Sequence, residues 1–133
     1  MSDSRYHQSK SVSIAIRRFN YAYDREKNED EIIDYLIAFE ALLFKSETQE
    51  LSEKLSRRVA RLLEDDFDNR KKLSKNIKDF YNKRSKIVHG VETEITDEYV
   101  DQIQEVLRKS LKKILEKILS QHHEDVIDHL DFD

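Results

Sequence analysis

The stretch EIIDYLIAFEALLFK, residues Glu31 to Lys45, reads as a helix that is wet on very little of its surface. Ile32, Ile33, Tyr35, Leu36, Ile37, Phe39, Leu42, Leu43 and Phe44 cover most of its circumference, and Asp34, Ala38 and Ala41 form a narrow small-or-polar strip. A helix that is apolar nearly all round belongs at the centre of a bundle, with other helices on several sides. The spacing therefore predicts a central helix over about Glu29 to Lys45 and asks where its neighbours lie.

They are legible on both sides. A helix is expected from about Arg5 to Tyr23, with Val12, Ile16, Phe19 and Tyr23 on one face at spacings of three and four. The polar stretch DREKNED connects it to the central helix. After it, SETQ at Ser46 to Gln49 fits a capping box that starts a third helix, whose inner stripe is Leu51, Leu55, Val59 and Leu62. EDDFD interrupts the pattern. A fourth helix covers roughly Asn69 to Val88, with Leu73, Ile77, Phe80, Tyr81, Ile87 and Val88 inside, and Gly90 follows as a left-handed stop. Thr96 is the expected N-cap of a long fifth helix carrying Val100, Ile103, Leu107, Leu111, Ile114 and Ile118. A short tail helix, EDVIDHLDF, packs back through Val126, Ile127 and Leu130.

Composition agrees. The 133 residues suit one domain spanning 1–133, and the chain has no proline, no cysteine and one glycine. Tight hairpins need Gly and Pro, so a sheet is disfavoured. The expected fold is all-α, an up-and-down helical bundle of four to five main helices plus a short C-terminal helix. Disulfides and thiolate metal sites have no cysteine to use. No apolar run approaches the roughly 20 residues of a membrane span. MSDSRYHQSKS lacks the apolar core of a secretory signal, so a cytoplasmic protein is expected.

Charge is distributed unevenly. The net charge is −4, yet residues 70–89, RKKLSKNIKDFYNKRSKIVH, carry eight Lys/Arg and one acid, leaving 16 basic and 27 acidic residues elsewhere. Lys71, Lys75, Lys78, Lys83 and Lys86 lie away from the apolar stripe of this helix. They read as a surface for a polyanion such as RNA, or as an ordinary solvated face.

Two charges fall inside apolar arcs. Glu40 lies one turn from Leu36 and from Phe44, and Arg84 lies four residues after Phe80 and three before Ile87. An isolated buried charge is costly, so the spacing predicts that the two pair. The pair reads equally as a structural ion pair, or Arg84 as an arginine snorkelling out at a helix end. His89 stands five residues from Arg84, about 140° round an ideal helix. It meets Arg84 only if the helix unwinds near Gly90, or if it turns to the same motif of a second subunit. The structural alternative is a histidine capping the helix C-terminus. His122 and His123, followed by Glu124 and Asp125, show no metal-ligand spacing matched to a second cluster, and no metal or cofactor is expected.

RSKIVHG at the end of a basic amphipathic helix, preceded by IAFEALL and LSRRVARLL, resembles the HEPN superfamily, and most of all its Apea-like branch. The resemblance covers most of the chain, from IRRFNYAYD to VIDHLD. It implies a helical bundle that forms a homodimer, and in many members a metal-independent endoribonuclease with a composite site at the dimer cleft. Carried over, Arg84 matches the motif arginine, His89 the motif histidine and Ser85 the polar position after the arginine, where Asn, Asp or His is commoner. Glu40 stands where an acidic residue supports the arginine. Other members are non-catalytic modules for dimerisation, RNA binding or partner binding, and Apea-like domains often end longer polypeptides. The resemblance thus implies RNA, a second copy, and a protein partner or fused domain as partners, in a defence or toxin setting. The chemistry suits these residue types: RNA brings its own 2′-OH nucleophile, histidine moves protons near neutral pH, and arginine grips phosphate.

Overall fold

A computed structural model describes the backbone over residues 3–132 and the side chains over residues 10–131. Six helices and no strand occur among the described residues: α1 Asp3–Tyr23, α2 Asn28–Leu43, α3 Leu51–Leu63, α4 Phe67–Val88, α5 Asp97–Ile118 and α6 His123–Phe132. The architecture is the expected all-helical bundle with a short C-terminal helix. No helix among the described residues is long and apolar enough to cross a membrane.

Helix α2 is central, packed against α1, α3, α4 and α5. Ile32, Tyr35, Leu36, Phe39, Leu42 and Leu43 are all fully buried. Phe39 meets Phe80 of α4 edge-on, with ring centroids 5.9 Å apart. The strip of Asp34 and Ala38 is buried too, rather than forming the wet side of α2. It lies against α1, whose own Ala15 and Ala22 are fully buried. Small residues on both helices allow close approach and explain why α1 is rotated from its expected face. Val12 and Phe19 point inward, whereas Ile16 and Tyr23 are exposed.

Three helix starts show what competes for capping groups. The expected capping box at Ser46 to Gln49 does not form. Helix α3 begins at Leu51 behind Glu50, which sits in the left-handed region at φ 55° and makes no side-chain cap bond. Glu47 is instead claimed by other donors: it accepts from the Lys45 N–H at 2.6 Å and meets Arg58 Nη2 at 2.8 Å. Helix α4 begins at Phe67, two residues earlier than the pattern suggests, because Asp66 caps it and accepts from the Asn69 N–H at 3.2 Å. Thr96 caps α5 as expected, accepting from the Tyr99 N–H at 3.1 Å.

Helix α6 is tied down by polar contacts as well as by Val126, Ile127 and Leu130. Arg58 of α3, only 2% exposed, donates from Nε and Nη2 to the two carboxylate oxygens of Asp131, at 2.9 Å each. Its Nη1 donates to the Leu43 carbonyl at 2.8 Å. Buried His123 contacts the Leu42 carbonyl through Nε2, and Lys45 pairs with Asp128.

Candidate functional site

The C-terminal end of α4 carries the residues singled out in the sequence, and three backbone hydrogen bonds close it. The His89 N–H donates to the Ser85 carbonyl at 3.1 Å, Gly90 to Ile87 at 3.1 Å, and Val91 to Lys86 at 2.9 Å. The last two bonds are the nested pair that closes a helix through a left-handed residue. Gly90 supplies that residue at φ +75°, and a Cβ there would touch nothing within 4 Å. Glycine is needed for the backbone conformation alone.

This stop bears on the reach of His89. The helix does not unwind ahead of His89. Its N–H keeps the helical bond to Ser85, its φ is −85°, and the reversal comes one residue later. His89 therefore keeps its helical direction and, within one chain, diverges from Arg84 by roughly 140°. It is exposed, and its imidazole makes no hydrogen bond among the described residues.

Arg84 is half-buried, and its Nε is a buried donor with no acceptor among the described residues. Glu40 is half-buried as well. Burial raises its carboxyl pKa, and the charge of Arg84 partly offsets that rise. The Tyr81 hydroxyl feels the same neighbours: burial and then Glu40 raise its pKa, while Arg84 lowers it. Glu40, Tyr81 and Arg84 thus form one electrostatic cluster between α2 and α4. The direct Glu40–Arg84 ion pair expected from spacing is not among the ion pairs of the described residues. The two act on each other through space, and neither is fully buried. Ser85 is half-buried, with its carbonyl on the His89 N–H.

The lysines divide into two groups. Lys71, Lys75 and Lys86 are exposed and take no carboxylate partner among the described residues. Lys78 pairs with Glu53 at 2.9 Å, and Lys83 lies 5.1 Å over the Tyr99 ring and 3.9 Å from Asp79. Tyr99 in turn donates to Asp79 at 3.1 Å. On a regular helix Lys71, Lys75, Lys78 and Lys86 share one stripe, and His89, five turns after Lys71, continues it. Arg84 faces elsewhere, toward Glu40.

The fully buried charges were not those expected. Asp34 of α2 is 3% exposed and is held by Arg18 at 3.3 Å and Arg25 at 2.7 Å. Arg58 is the other. It stands three residues after Leu55 and four before Leu62, inside the α3 stripe, so the spacing test that picked out Glu40 and Arg84 also marks it. No group of three or more His, Asp or Glu among the described residues is placed to hold a metal ion. Comparisons with protein-family models, curated proteins and solved structures give no match.

Proposed function

We propose that this chain is a metal-independent endoribonuclease of HEPN type, acting as a homodimer in which Arg84 of one copy and His89 of the other serve one phosphate. The observation that carries this reading is the pairing of an unsatisfied, half-buried Arg84 Nε with an exposed His89 that the Gly90 stop holds on a different face of the same helix. On a regular α4 the two side chains leave the helix about 140° apart, which favours a phosphate shared between two copies. Two copies joined near the ends of their fourth helices can bring them to a single phosphate.

The chemistry requires little else. The RNA 2′-oxygen attacks the adjacent phosphorus, a proton leaves the 2′-OH, and the bond to the 5′-oxygen breaks as that oxygen gains a proton. His89 moves one of these protons, a contribution of about 10²–10⁴ in rate. Arg84 donates to the non-bridging oxygens, where charge builds. Glu40 orients Arg84 electrostatically, and Ser85 borders the phosphate. Lys71, Lys75 and Lys86 guide the RNA backbone, helped by Lys78 and Lys83 when RNA displaces their internal partners.

The test is labelled RNA incubated in EDTA with wild type and His89→Ala side by side. Wild type is expected to leave 2′,3′-cyclic phosphate ends, to spare 2′-O-methylated RNA and DNA, and to cut at least ~100-fold faster than the variant. Equal degradation by both would mean a contaminating nuclease.

A second reading is a non-catalytic HEPN module for dimerisation, RNA binding or partner binding. It is favoured by the His89 imidazole, which no hydrogen bond among the described residues orients. RNA binding without cleavage, with or without metal, selects it.

A further inference from the structure

The end of α4 opposite to Arg84 has basic surroundings of its own. Arg61 of α3, Arg70 of α4, Lys117 of α5 and His129 of α6 line a cleft of about 190 Å³, with Gln121 beside them and no acidic side chain in the lining. Arg70 lies fourteen residues before Arg84, so the cleft is about 20 Å along the helix from that arginine.

The arginines are fixed in an unusual way. Arg61 donates from Nη1 to the Leu130 carbonyl at 3.1 Å, and Arg70 donates from Nε to the Glu64 carbonyl at 2.7 Å. Both are half-buried. The other half-buried or buried arginines of α1 and α3 take carboxylates: Arg18 pairs with Asp34, and Arg57 and Arg58 with Asp131. Among the described residues neither Arg61, Arg70 nor Lys117 forms an ion pair. Backbone carbonyls hold the two guanidinium groups in place without cancelling their charge, and donors on both remain free. The chain has 28 acidic residues, so this corner is not short of carboxylates for lack of them in the sequence.

We infer that this cleft is an anion site for a phosphate dianion, either inorganic phosphate or the terminal group of a phosphomonoester. Two immobilised guanidiniums and an ammonium match the charge and tetrahedral donor demand of phosphate. A cleft of about 190 Å³ is well below the ~300–1,000 Å³ of drug-sized pockets, so it takes the phosphate group and leaves its bearer outside. Four helices meet at this cleft, so an occupant there also draws α6 toward α3, α4 and α5. The inference does not rest on the ribonuclease reading, and its readout involves no RNA.

The test is calorimetric titration of the whole chain at fixed ionic strength with inorganic phosphate and, separately, adenosine monophosphate, using acetate as the anion control. One saturable site for a phosphate species is expected, and none for acetate. Tighter binding of the monophosphate identifies a phosphomonoester as the occupant, and equal or weaker binding identifies free phosphate. Arg61→Gln and Arg70→Gln should each weaken binding about tenfold, the loss of one charge-assisted contact. Lys117→Gln, which removes no hydrogen bond or ion pair among the described residues, should weaken it severalfold and carries the test if an arginine variant fails to fold. Arg17→Gln on distant α1 should bind like wild type. Absence of saturable binding, or unchanged affinity in the Arg61, Arg70 and Lys117 variants, overturns the inference.

Discussion

Arg58 and Asp131, 73 residues apart in sequence, meet in a two-pronged ion pair with both contacts at 2.9 Å and the arginine 2% exposed. The arginine also serves Glu47 at 2.8 Å and the Leu43 carbonyl, so one side chain joins α3, the α2–α3 connection and α6. Removing it takes the main partner from two carboxylates, leaving Asp131 with Arg57 alone and Glu47 with the Lys45 N–H, and strands the Leu43 carbonyl. Arg58→Leu should cost on the order of 3–5 kcal/mol in urea unfolding. Asp131→Asn, which leaves Glu47 and Leu43 in place, should cost less, about 1–3 kcal/mol. Equal, small effects in both would show the cluster to be dispensable.

Acid should loosen α6 in two stages. Burial lowers the His123 pKa in the fold, against the smaller opposing pull of the Leu42 carbonyl, so the unfolded chain takes up its proton first. The stability tied to neutral His123 is therefore complete above about pH 6.5 and falls as pH drops below it. The hydrogen bonds from Arg58, foremost, hold the Asp131 carboxyl down to about 2. Its contribution, of order 2 kcal/mol, is present above about pH 4 and is lost between about 4 and 2. Hydrogen exchange of α6 amides should show both stages, with His123→Gln flattening the upper and Asp131→Asn the lower. Constant α6 protection from pH 7 to pH 3 would contradict this.

Periodicity located all six helices, because a core-facing stripe repeats at three and four whatever else a helix does. Capping was less legible. Ser46 to Gln49 has the right letters for a capping box, but Glu47 lies within reach of a buried guanidinium, a contact between residues far apart in the pattern. Burial of small residues is hard to read for a similar reason. Ala15, Ala22 and Ala38 carry little hydrophobic signal, yet they allow α1 and α2 to approach closely, and Asp34 accompanies them because Arg18 and Arg25 neutralise it. At the candidate site the Gly90 stop and the Glu40–Arg84 neighbourhood are legible in the residue spacing. The position of His89 is not, since whether a helix unwinds before or after one residue depends on hydrogen bonds that no spacing rule encodes.

Most of the apolar surface of α5 faces the core. Leu107, Leu111 and Ile114 are buried internally, while Leu115 is 40% and Leu119 87% exposed. If a second copy covers these two, Leu115→Lys with Leu119→Lys should shift light scattering from dimer to monomer mass at micromolar concentration. The α6 contacts should stay intact by hydrogen exchange. A dimer that survives both charges would place the interface elsewhere, with exposed Val88 and Val91 beside the α4 terminus as the next surface to charge.

The absence of a direct contact between Glu40 and Arg84 sets a modest coupling. A double-mutant cycle with Glu40→Gln and Arg84→Met should give below about 1 kcal/mol, as for partly exposed charges acting through water. The electrostatic link should still be visible in titration. Arg84 holds down the rise that burial imposes on Glu40, so Arg84→Met should move the Glu40 carboxyl pKa further up, as read by carboxyl NMR shifts. An unmoved Glu40 would remove it from the support of Arg84.

The strongest test of the proposed site uses the divergence of Arg84 and His89 on one helix. If each phosphate is served by Arg84 of one copy and His89 of the other, single variants abolish both sites of a homodimer. Arg84→Ala and His89→Ala chains alone should then be inactive. Mixed after mild unfolding and refolding together, they form heterodimers in which one site has lost both residues and the other has kept both. Random pairing makes about half of the dimers mixed, each with one intact site of two, so activity should return to about a quarter of wild type. A chain carrying both substitutions, mixed with either single variant, should restore nothing, because every composite site then lacks a residue. A site built within one chain behaves differently: mixing would restore no activity, since no copy holds both residues. Recovery near a quarter therefore distinguishes a shared site from a self-contained one, and it depends on chemistry that a binding module lacks.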